Sequence, residues 1–409
     1  MQRQVDRSWE LYDRALDFVP LATQTHSKAP REALRGLEPC YLLRGKGCRV
    51  WDVDGNEYID FRNGLGPITL GYSFPAVDAA IRQRLDEGII FSYPHPLELE
   101  LAERLVAWIP CAEQVRFLKT GGEAMAATHR LARAFTGRDL VLSCGYHGWL
   151  NSNSAGVPEA TKALCRPLPW GDPKPYEELL RKGEVAALSV ACAYAEAEVG
   201  GGFLAELREL SERYGALLIF DEIVTGFRLD RAGAQGYFGV VPDLAVFAKG
   251  ISNGVPLACY VGRREVMALV QEASISSTFG GDTLGLAAAS AVLDTYESED
   301  VIGVLWERGR WLKEGFNDHC TRLGIEARLC GLPPMPQWIF DGKDARRNGQ
   351  LFMQFNAEVL RRGLIVFSVC YPNFSHQPAD IEAALAAMGE ALEAMVEDGL
   401  FPLEKRAEL

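Results

Sequence analysis

The stretch "LLIFDEIVTGFR", residues 217–228, is an apolar run that ends at a pair of carboxylates, and "VFAKGISNGVPLA", residues 246–258, is an apolar run that ends at a lysine. Short apolar runs bounded by polar residues and glycines are typical of buried strands. Lysine is rarely buried unless it is paired. Asp221 and Lys249 therefore raise the question of what the ends of these two strands hold.

Similar runs lie upstream in the chain. Helical patterns at 97–108, 123–135 and 203–214 separate several of them. The candidate strands are 115–118, 140–143, 187–192, 216–220 and 244–248. Alternating strands and helices, with nearly all-apolar strands, predict an α/β chain whose mostly parallel sheet is covered by helices.

The two ends of the chain look different from this central part. Residues 47–61 alternate around Asp54-Gly55 and predict a hairpin, and the last helix is expected at 379–396. We therefore expect an N-terminal helix and hairpin at 1–60, a large domain at 61–290 and a C-terminal part at 291–409. The first and last of these together would form a smaller α+β domain.

Composition narrows the function. The net charge of the 409 residues is −13, which argues against nucleic acid as a partner because phosphate binding needs basic patches. No apolar stretch approaches 18 residues, so no membrane span is predicted. Ten cysteines without a CxxC pair or a secretory signal indicate reduced thiols and a cytoplasmic location. The six scattered histidines predict no metal site.

Unusual residues follow the predicted strands. Residues 119–122 (Lys-Thr-Gly-Gly) precede a helix, residues 144–149 include two aromatics, residues 221–222 are acidic, and residue 249 is the lysine. Ligands of open α/β sheets bind outside the carboxyl ends of the strands. These four segments are thus expected at one edge of the sheet.

Together these residue types make up a site for pyridoxal 5′-phosphate. Backbone amides of Gly121 and Gly122 at a helix N-terminus suit the phosphate. An aromatic ring, Tyr146 or Trp149, can stack on the cofactor ring, and the Asp221 carboxylate can keep its pyridine nitrogen protonated. The Lys249 amine can form an imine with the aldehyde, helped by desolvation that lowers the lysine pKa.

Each feature also has a simpler interpretation. Taken alone, the glycines are typical of a tight turn, Tyr146 and Trp149 of core or rim aromatics, Asp221 of a solvated strand end and Lys249 of a surface lysine. A nucleotide-binding protein is a further alternative, but the GxxxxGK[ST] motif that it needs is missing from the sequence. A binding module without catalysis is disfavoured because the lysine and the aspartate are both present.

The sequence resembles the class III aminotransferases of fold type I, in particular the glutamate-1-semialdehyde aminomutase branch. The resemblance covers nearly the whole chain. The motifs that carry it are "KGCRVWDVDGNEYIDF" (46–61), "LGYSFPAV" (70–77), "RLARAFTGRD" (130–139), "GYHGW" (145–149), "LLIFDEIVTGFR" (217–228), "AKGISNGVPLA" (248–258) and "STFGGDTLGLAAAS" (277–290).

This resemblance implies roles around the cofactor. Lys249 would be the Schiff-base lysine and proton shuttle, and Asp221 would bond the pyridine nitrogen. Ile223 and Tyr146 would pack on opposite faces of the ring, and residues 121–122 would hold the phosphate.

The resemblance also implies a homodimer. Thr278 would contact the phosphate bound by the neighbouring subunit, and each subunit would complete the other's site. The alternative for Thr278 is an N-cap of the following helix. Glu222 and Arg228 lie in the same motif as Asp221 and would support the site structurally.

Departures from the family pattern fall at the phosphate loop and in the substrate region. Gly122 lacks the hydroxyl usual at its position in the phosphate loop. Lys28 stands where the aminomutases have an arginine for the substrate carboxylate, and a lysine offers a point charge instead of a fork. Glu196 or Glu198 would replace the family glutamate, and His147 is a further substrate candidate.

These features predict a PLP-dependent aminotransferase that moves an amino group from a donor to a carbonyl substrate. A keto- or aldehydo-sugar of amino-sugar, surface-polysaccharide or antibiotic biosynthesis is the acceptor class considered. The alternative is an intramolecular aminomutase or an epimerase on the same machinery. A requirement for a separate amino donor distinguishes the two.

Overall fold

The computed structural model describes residues 3–151, 153–192 and 194–401. The chain forms two compact units, one made of the residues up to Phe74 together with those from Gly303 onward, the other of Pro75–Ile302. The boundaries expected at 60 and 290 both lie earlier in the chain than these. Residues 61–74 belong to the first unit because they bond to it: Gly47 donates its N–H to the Tyr72 carbonyl at 2.8 Å, and Phe374 donates to that of Thr69 at 2.8 Å.

The strands in chain order are β1 Leu42–Lys46, β2 Arg49–Asp52, β3 Glu57–Asp60, β4 Gln114–Leu118, β5 Leu140–Cys144, β6 Cys165–Pro167, β7 Val185–Ala191, β8 Leu217–Asp221, β9 Leu244–Phe247, β10 Ala258–Gly262, β11 Arg328–Cys330, β12 Gln337–Ile339 and β13 Leu364–Ile365. Each predicted strand is present within three residues of its expected bounds. Strands β1, β6 and β10 to β13 have no counterpart among the strands for which the sequence predicts bounds. β10 follows the Lys249 turn so closely that its sequence was interpreted as part of that turn, and β6 is short and ends in a proline.

The helices are α1 Asp6–Ala15, α2 Pro75–Leu85, α3 Pro96–Trp108, α4 Gly121–Thr136, α5 Glu159–Lys162, α6 Lys174–Leu180, α7 Gly200–Tyr214, α8 Ala234–Phe238, α9 Arg264–Met267, α10 Thr283–Ser298, α11 Val301–Leu323, α12 Ala345–Arg361 and α13 Pro378–Glu397. Helix α1 ends before Val19, to which its apolar pattern extends. Val19 precedes Pro20 and is extended at φ −129°, ψ 111°, the conformation that a following proline favours.

The sheet of the second unit has the order β4-β10-β9-β8-β7-β5-β6. Only the pairings of β10 are antiparallel, so β4 runs in the same direction as β9, β8, β7, β5 and β6. Helix α4 packs its apolar side on this sheet: Met125 and Leu131 share a buried core with Ile219, Val246 and Tyr260. The α/β fold with a mostly parallel sheet, predicted from the sequence, is confirmed.

The first unit contains the sheet β1-β2-β3-β13 and the hairpin β11-β12. Its core is rich in aromatic side chains. The Trp338 ring lies 4.9 Å from Phe316 and 5.1 Å from Phe355, centroid to centroid. In the described part of the chain, no helix is both long and apolar enough to cross a bilayer, and no cluster of three or more His, Cys, Asp or Glu side chains is arranged to hold a metal ion.

Candidate active site

The candidate site lies at the carboxyl edge of the second unit's sheet. Segments 119–122 and 145–149 follow β4 and β5, Asp221 ends β8, and Lys249 comes two residues after β9. These four strands run in one direction, so their carboxyl ends share an edge. The strand directions therefore collect the segments that the sequence analysis singled out.

Asp221 is buried and both of its carboxylate oxygens are held. Oδ2 lies 2.8 Å from Nδ1 of His147, and Oδ1 accepts a hydrogen bond from the Ile223 N–H at 3.1 Å. A carboxylate held at both oxygens keeps a fixed orientation.

His147 is buried next to Asp221, and its contact with a substrate stays a prediction. Its Nδ1 faces Asp221, and its Nε2 lies 3.2 Å from the Ser189 carbonyl. Both ring nitrogens are thus engaged, and the side chain is 3% exposed. The imidazole is therefore held between the Asp221 carboxylate and the backbone of β7.

A second histidine, His129, lies next to His147 and contacts Ser189. His129 Nε2 lies 2.9 Å from Oγ of Ser189, and its ring centroid is 6.1 Å from that of His147. Burial, together with smaller contributions from His147 and Arg133, lowers the pKa of His129 to about 3. His129 is therefore neutral at physiological pH and adds no charge near Asp221.

Lys249 occupies an unusual backbone position. Its φ is +51°, in the left-handed region that side chains with a Cβ rarely adopt, and strained backbone of this kind clusters at functional sites. Burial lowers the pKa of Lys249 to about 8; the Asp221 carboxylate opposes this and the buried Arg228 adds to it. A substantial fraction of this amine is therefore unprotonated close to neutral pH.

The turn at 120–122 is built for close approach. The Thr120 hydroxyl caps helix α4 by accepting from the Glu123 N–H at 3.4 Å. A Cβ on Gly121 would lie 2.4 Å from Cδ1 of Ile223, and a Cβ on Gly148 would lie 2.5 Å from the Gly122 Cα. Only glycines fit these contacts, and the first-turn amides at 121 and 122 remain available to an anion.

Glu222 faces away from this edge. Its carboxylate accepts hydrogen bonds from the amides of Ala234 at 2.7 Å and Gln235 at 3.0 Å and from the Thr225 hydroxyl. Burial raises the pKa of Glu222 to about 7, against these hydrogen bonds. The contacts tie the end of β8 to α8, which is the kind of supporting role that the family resemblance implies.

The remaining predicted residues are more exposed. Tyr146 is 74% exposed on the loop that carries His147. Thr278 is exposed in the turn before α10, and it is not the N-cap; Asp282 caps α10 by accepting from the amides of residues 284 and 285. Glu196 is exposed after β7. Lys28 belongs to the first unit, where it lines a cavity.

The sequence analysis missed an ion pair next to the phosphate loop. Lys119 Nζ contacts the Asp282 carboxylate and donates to the Pro256 carbonyl at 3.0 Å. The pair joins the turn that opens α4 to the turn that carries Thr278. The sequence does not predict this pair, because Lys119 and Asp282 are far apart in the chain and only the folded structure brings them together.

The fold and these groups together define a PLP-dependent enzyme of fold type I. The glycine turn with free amides fits a phosphate, the held carboxylate fits a protonated pyridine nitrogen, and the buried lysine of lowered pKa fits an aldehyde carbon. No observation in the described residues conflicts with this assignment.

Comparison with known proteins gives the family. The family model for aminotransferase class-III matches residues 33–163 and 182–335, and the chain belongs to this family. The chain is 32% identical to the glutamate-1-semialdehyde 2,1-aminomutase of Syntrophobacter fumaroxidans. The alignment covers 94% of this chain and 97% of that protein. The chain is 34% identical to the 2'-deamino-2'-hydroxyneamine transaminase of Streptomyces kanamyceticus. That alignment covers 88% of this chain and 93% of that protein.

The fold is shared with solved enzymes. The PLP internal aldimine form of the Sphingopyxis sp. MTA144 FumI protein superposes with a TM-score of 0.90 at 25% identity, over 96% of this chain and 97% of that one. The cofactor of this protein is accordingly pyridoxal 5′-phosphate, as the sequence predicts.

Proposed function

We propose that this enzyme transfers an amino group between two separate molecules, from an amino donor to a carbonyl compound. The observation that carries the proposal is Lys249, a largely buried lysine of lowered pKa at a strained position near Asp221. When bound, pyridoxal 5′-phosphate supplies an electron-withdrawing ring and holds the amino group between the two half-reactions.

Lys249 moves the proton in this proposal. Because its pKa is lowered to about 8, Nζ can take up a proton near neutral pH and return it to the neighbouring carbon. Asp221 holds a negative charge at the pyridine nitrogen, and His147, 2.8 Å away, keeps the carboxylate oriented.

Binding is divided among other residues. The amides of Gly121 and Gly122 hold the phosphate, and the hydroxyl missing at residue 122 leaves more of this task to the backbone. Ile223 and Tyr146 enclose the ring. Thr278 reaches the phosphate of a neighbouring subunit in a homodimer, and its exposure on the turn before α10 leaves it available for such a contact.

For the acceptor we propose a keto- or aldehydo-sugar. The similarity to a transaminase whose name specifies an aminoglycoside precursor supports this class. Lys28 supports it too, since a lysine there offers no fork for the carboxylate that a semialdehyde amino acid would bring. Glu196 is a further proposed polar contact of the substrate.

The alternative is an intramolecular aminomutase or an epimerase. The 32% identity to a glutamate-1-semialdehyde 2,1-aminomutase favours the aminomutase. Glutamate 1-semialdehyde offered as the sole substrate tests it, since an aminomutase consumes it without a donor.

A half-reaction screen tests the main proposal. The PLP-loaded enzyme is mixed with single amino donors, and the visible absorbance of the cofactor is followed. We expect a donor to bleach this absorbance, and a keto- or aldehydo-sugar to restore it. If no donor bleaches the enzyme while the semialdehyde alone is converted, the aminomutase is correct and our proposal is wrong.

A further inference from the structure

The loop that follows β5, residues 145–151, brings a tryptophan to the edge of the sheet that carries the candidate site. Trp149 is 75% exposed and Tyr146 is 74% exposed. Tyr146 has a proposed role against the cofactor ring, whereas Trp149 has none in the proposed amino transfer. Tryptophan and tyrosine are common where a protein contacts a partner molecule, so the surroundings of Trp149 decide what it can bind.

The backbone around Trp149 is held beside the phosphate turn. Gly148 has a φ of +87°, and a Cβ on Gly148 would lie 2.5 Å from the Gly122 Cα. The Asn151 N–H donates to the Gly148 carbonyl at 3.2 Å, which closes a turn around Trp149. Trp149 therefore belongs to a tight turn that packs on the segment proposed to hold the cofactor phosphate.

The histidine and the asparagine of this loop are engaged with the protein itself. Both ring nitrogens of His147 lie within 3.2 Å of oxygen atoms of neighbouring strands. The Asn151 amide donates to the His147 carbonyl at 2.9 Å. The large side chains that the loop exposes are Tyr146, Trp149 and Leu150, the last of them 50% exposed.

The sequence of the loop contains no Asp, Glu, Lys or Arg between residues 145 and 151. A carboxylate or phosphate group of a substrate therefore finds no cation on this loop. What the loop exposes instead is an indole, a large flat ring whose face carries negative and whose edge carries positive partial charge. Such a face attracts the weakly positive hydrogens of C–H bonds on another ring.

The exposure of Trp149 limits the kind of ring that fits. Apolar ligands are held in pockets that bury most of their surface, and the highly exposed Trp149 lies on an open rim instead. A pyranose ring needs only one face covered, because its hydroxyl groups stay in water while the C–H bonds of that face lie on the indole. The open rim therefore favours a sugar over an apolar ring.

We propose that Trp149 is a substrate-binding residue on which the sugar ring of the acceptor stacks, so that it selects cyclic acceptors over short open-chain ones. This inference rests on the proposed function, since it takes the acceptor to be a keto- or aldehydo-sugar. Trp149 recognises the ring, whereas the carbonyl carbon of the same molecule reacts near Lys249. A contact made away from the reacting atoms contributes to binding and leaves the rate of the chemical step unchanged.

The reverse half-reaction tests this proposal with two aminated sugars, which should bleach the absorbance of the PLP-loaded enzyme. D-glucosamine carries its amine on the ring, as the product of a keto-sugar would, and 6-amino-6-deoxy-D-glucose carries it outside the ring, as the product of an aldehydo-sugar would. For the sugar that reacts, Trp149→Ala should raise the half-saturating concentration about tenfold, the size of one aromatic stacking contact. The limiting rate should stay within about twofold, and Trp149→Phe should retain most of the affinity.

Leu150→Ala is the matched control, because Leu150 is exposed on the same loop but has no ring face. It should leave both constants unchanged. L-alanine, which has no ring, and 1-phenylethylamine, which has an apolar one, are the control amines, and Trp149→Ala should not weaken the binding of either. Equal losses in Leu150→Ala and Trp149→Ala, or a loss confined to 1-phenylethylamine, would overturn the proposal.

Tryptophan fluorescence gives a readout that needs no turnover. An aminated sugar does not react with the pyridoxamine form of the enzyme, and its binding should quench the emission of the wild type. Trp149→Phe should still bind the sugar in titration calorimetry but lose this quenching, although the other seven of the eight tryptophans remain. Unchanged quenching in Trp149→Phe would show that the sugar does not stack on residue 149.

The outcomes separate this inference from the proposed function. A sugar that reacts with the wild type and binds Trp149→Ala with equal affinity would overturn the inference alone. If only a keto- or aldehydo-sugar of the half-reaction screen reacts, the same comparison is made with that sugar in the forward direction. If no sugar reacts in either direction, the sugar acceptor is wrong and the inference is wrong as well.

Discussion

His147 Nδ1 lies 2.8 Å from Oδ2 of Asp221, and this contact joins the carboxyl ends of two strands that are not neighbours. Asp221 ends β8, His147 follows β5, and β7 lies between them. The imidazole crosses over β7 and meets the Ser189 carbonyl on the way. The Asp221 carboxylate is therefore positioned by two further strands of the sheet.

The first prediction separates the charge of Asp221 from its positioning. Asp221→Asn keeps the shape but removes the charge, and we expect the barrier to donor deamination to rise by roughly 3 kcal/mol or more, as for a lost electrostatic stabiliser. His147→Asn should cost less, about 1.5–3 kcal/mol, the range for one hydrogen bond to a charged group. Stopped-flow absorbance of the half-reaction measures both.

His129→Asn is the control, because His129 contacts Ser189 and not Asp221. The absorbance spectrum of the bound cofactor across pH should move in the Asp221 and His147 variants and stay unchanged in His129→Asn. Near-normal rates and spectra in His147→Asn would show that the contact is not needed.

The second prediction uses the lowered pKa of Lys249, from 10.5 to about 8. In the cofactor-free protein the buried ammonium costs stability at pH values below about 8, and the cost disappears as the pH rises toward 10.5 because the unfolded state then also loses its proton. Lys249→Met should therefore raise the melting temperature of the cofactor-free protein at pH 7, with a smaller gain at pH 9.5. A gain that does not depend on pH would contradict the lowered pKa.

The third prediction concerns the pair formed by Lys119 and Asp282. Asp282→Asn removes the charge but keeps a good N-cap for α10, and Lys119→Met removes the cation. We expect either change to speed hydrogen exchange in residues 276–282 and to weaken cofactor binding. The double variant should show no further effect, because the two side chains act as one contact.

Lys162→Met is the matched control for this pair. Lys162 pairs with Glu159 at 2.7 Å on the surface, where ion pairs contribute little. Additive effects of Lys119→Met and Asp282→Asn, or an equal effect of Lys162→Met, would show that the pair does not hold the turn.

The sequence predicts the strands and the residues at their ends because both depend on local apolar runs and on the polar residues and glycines that bound them. The motif around Asp221 and the lysine at 249 could be predicted in this way. The contact of His147 with Asp221 could not be predicted, because it depends on β7 lying between β5 and β8. The order of strands in a sheet is set by packing between segments that are distant in the sequence. The Thr278 N-cap alternative failed for a local reason, because Asp282 is closer to the helix start.

The fourth prediction tests the shared site of the proposed homodimer. Thr278→Val should weaken cofactor binding by about 1.5–3 kcal/mol, the range for a lost hydrogen bond to a charged group. In a mixed dimer of one Lys249→Ala subunit and one Thr278→Val subunit, both defects fall in one site and the other site is intact. Tight cofactor binding and activity should return in about half of the sites of the mixed dimer. A protein that is active as a monomer, or mixed dimers without recovery, would exclude the shared site.

The central claim is that Lys249 carries the cofactor, and borohydride reduction followed by peptide mapping tests it most directly. We expect reduction of the PLP-loaded wild type to fix the cofactor on the peptide that contains Lys249. Lys249→Ala should bind the cofactor weakly and take up no label. Label on another lysine, Lys119 being the nearest competitor along the phosphate loop, would contradict the assignment.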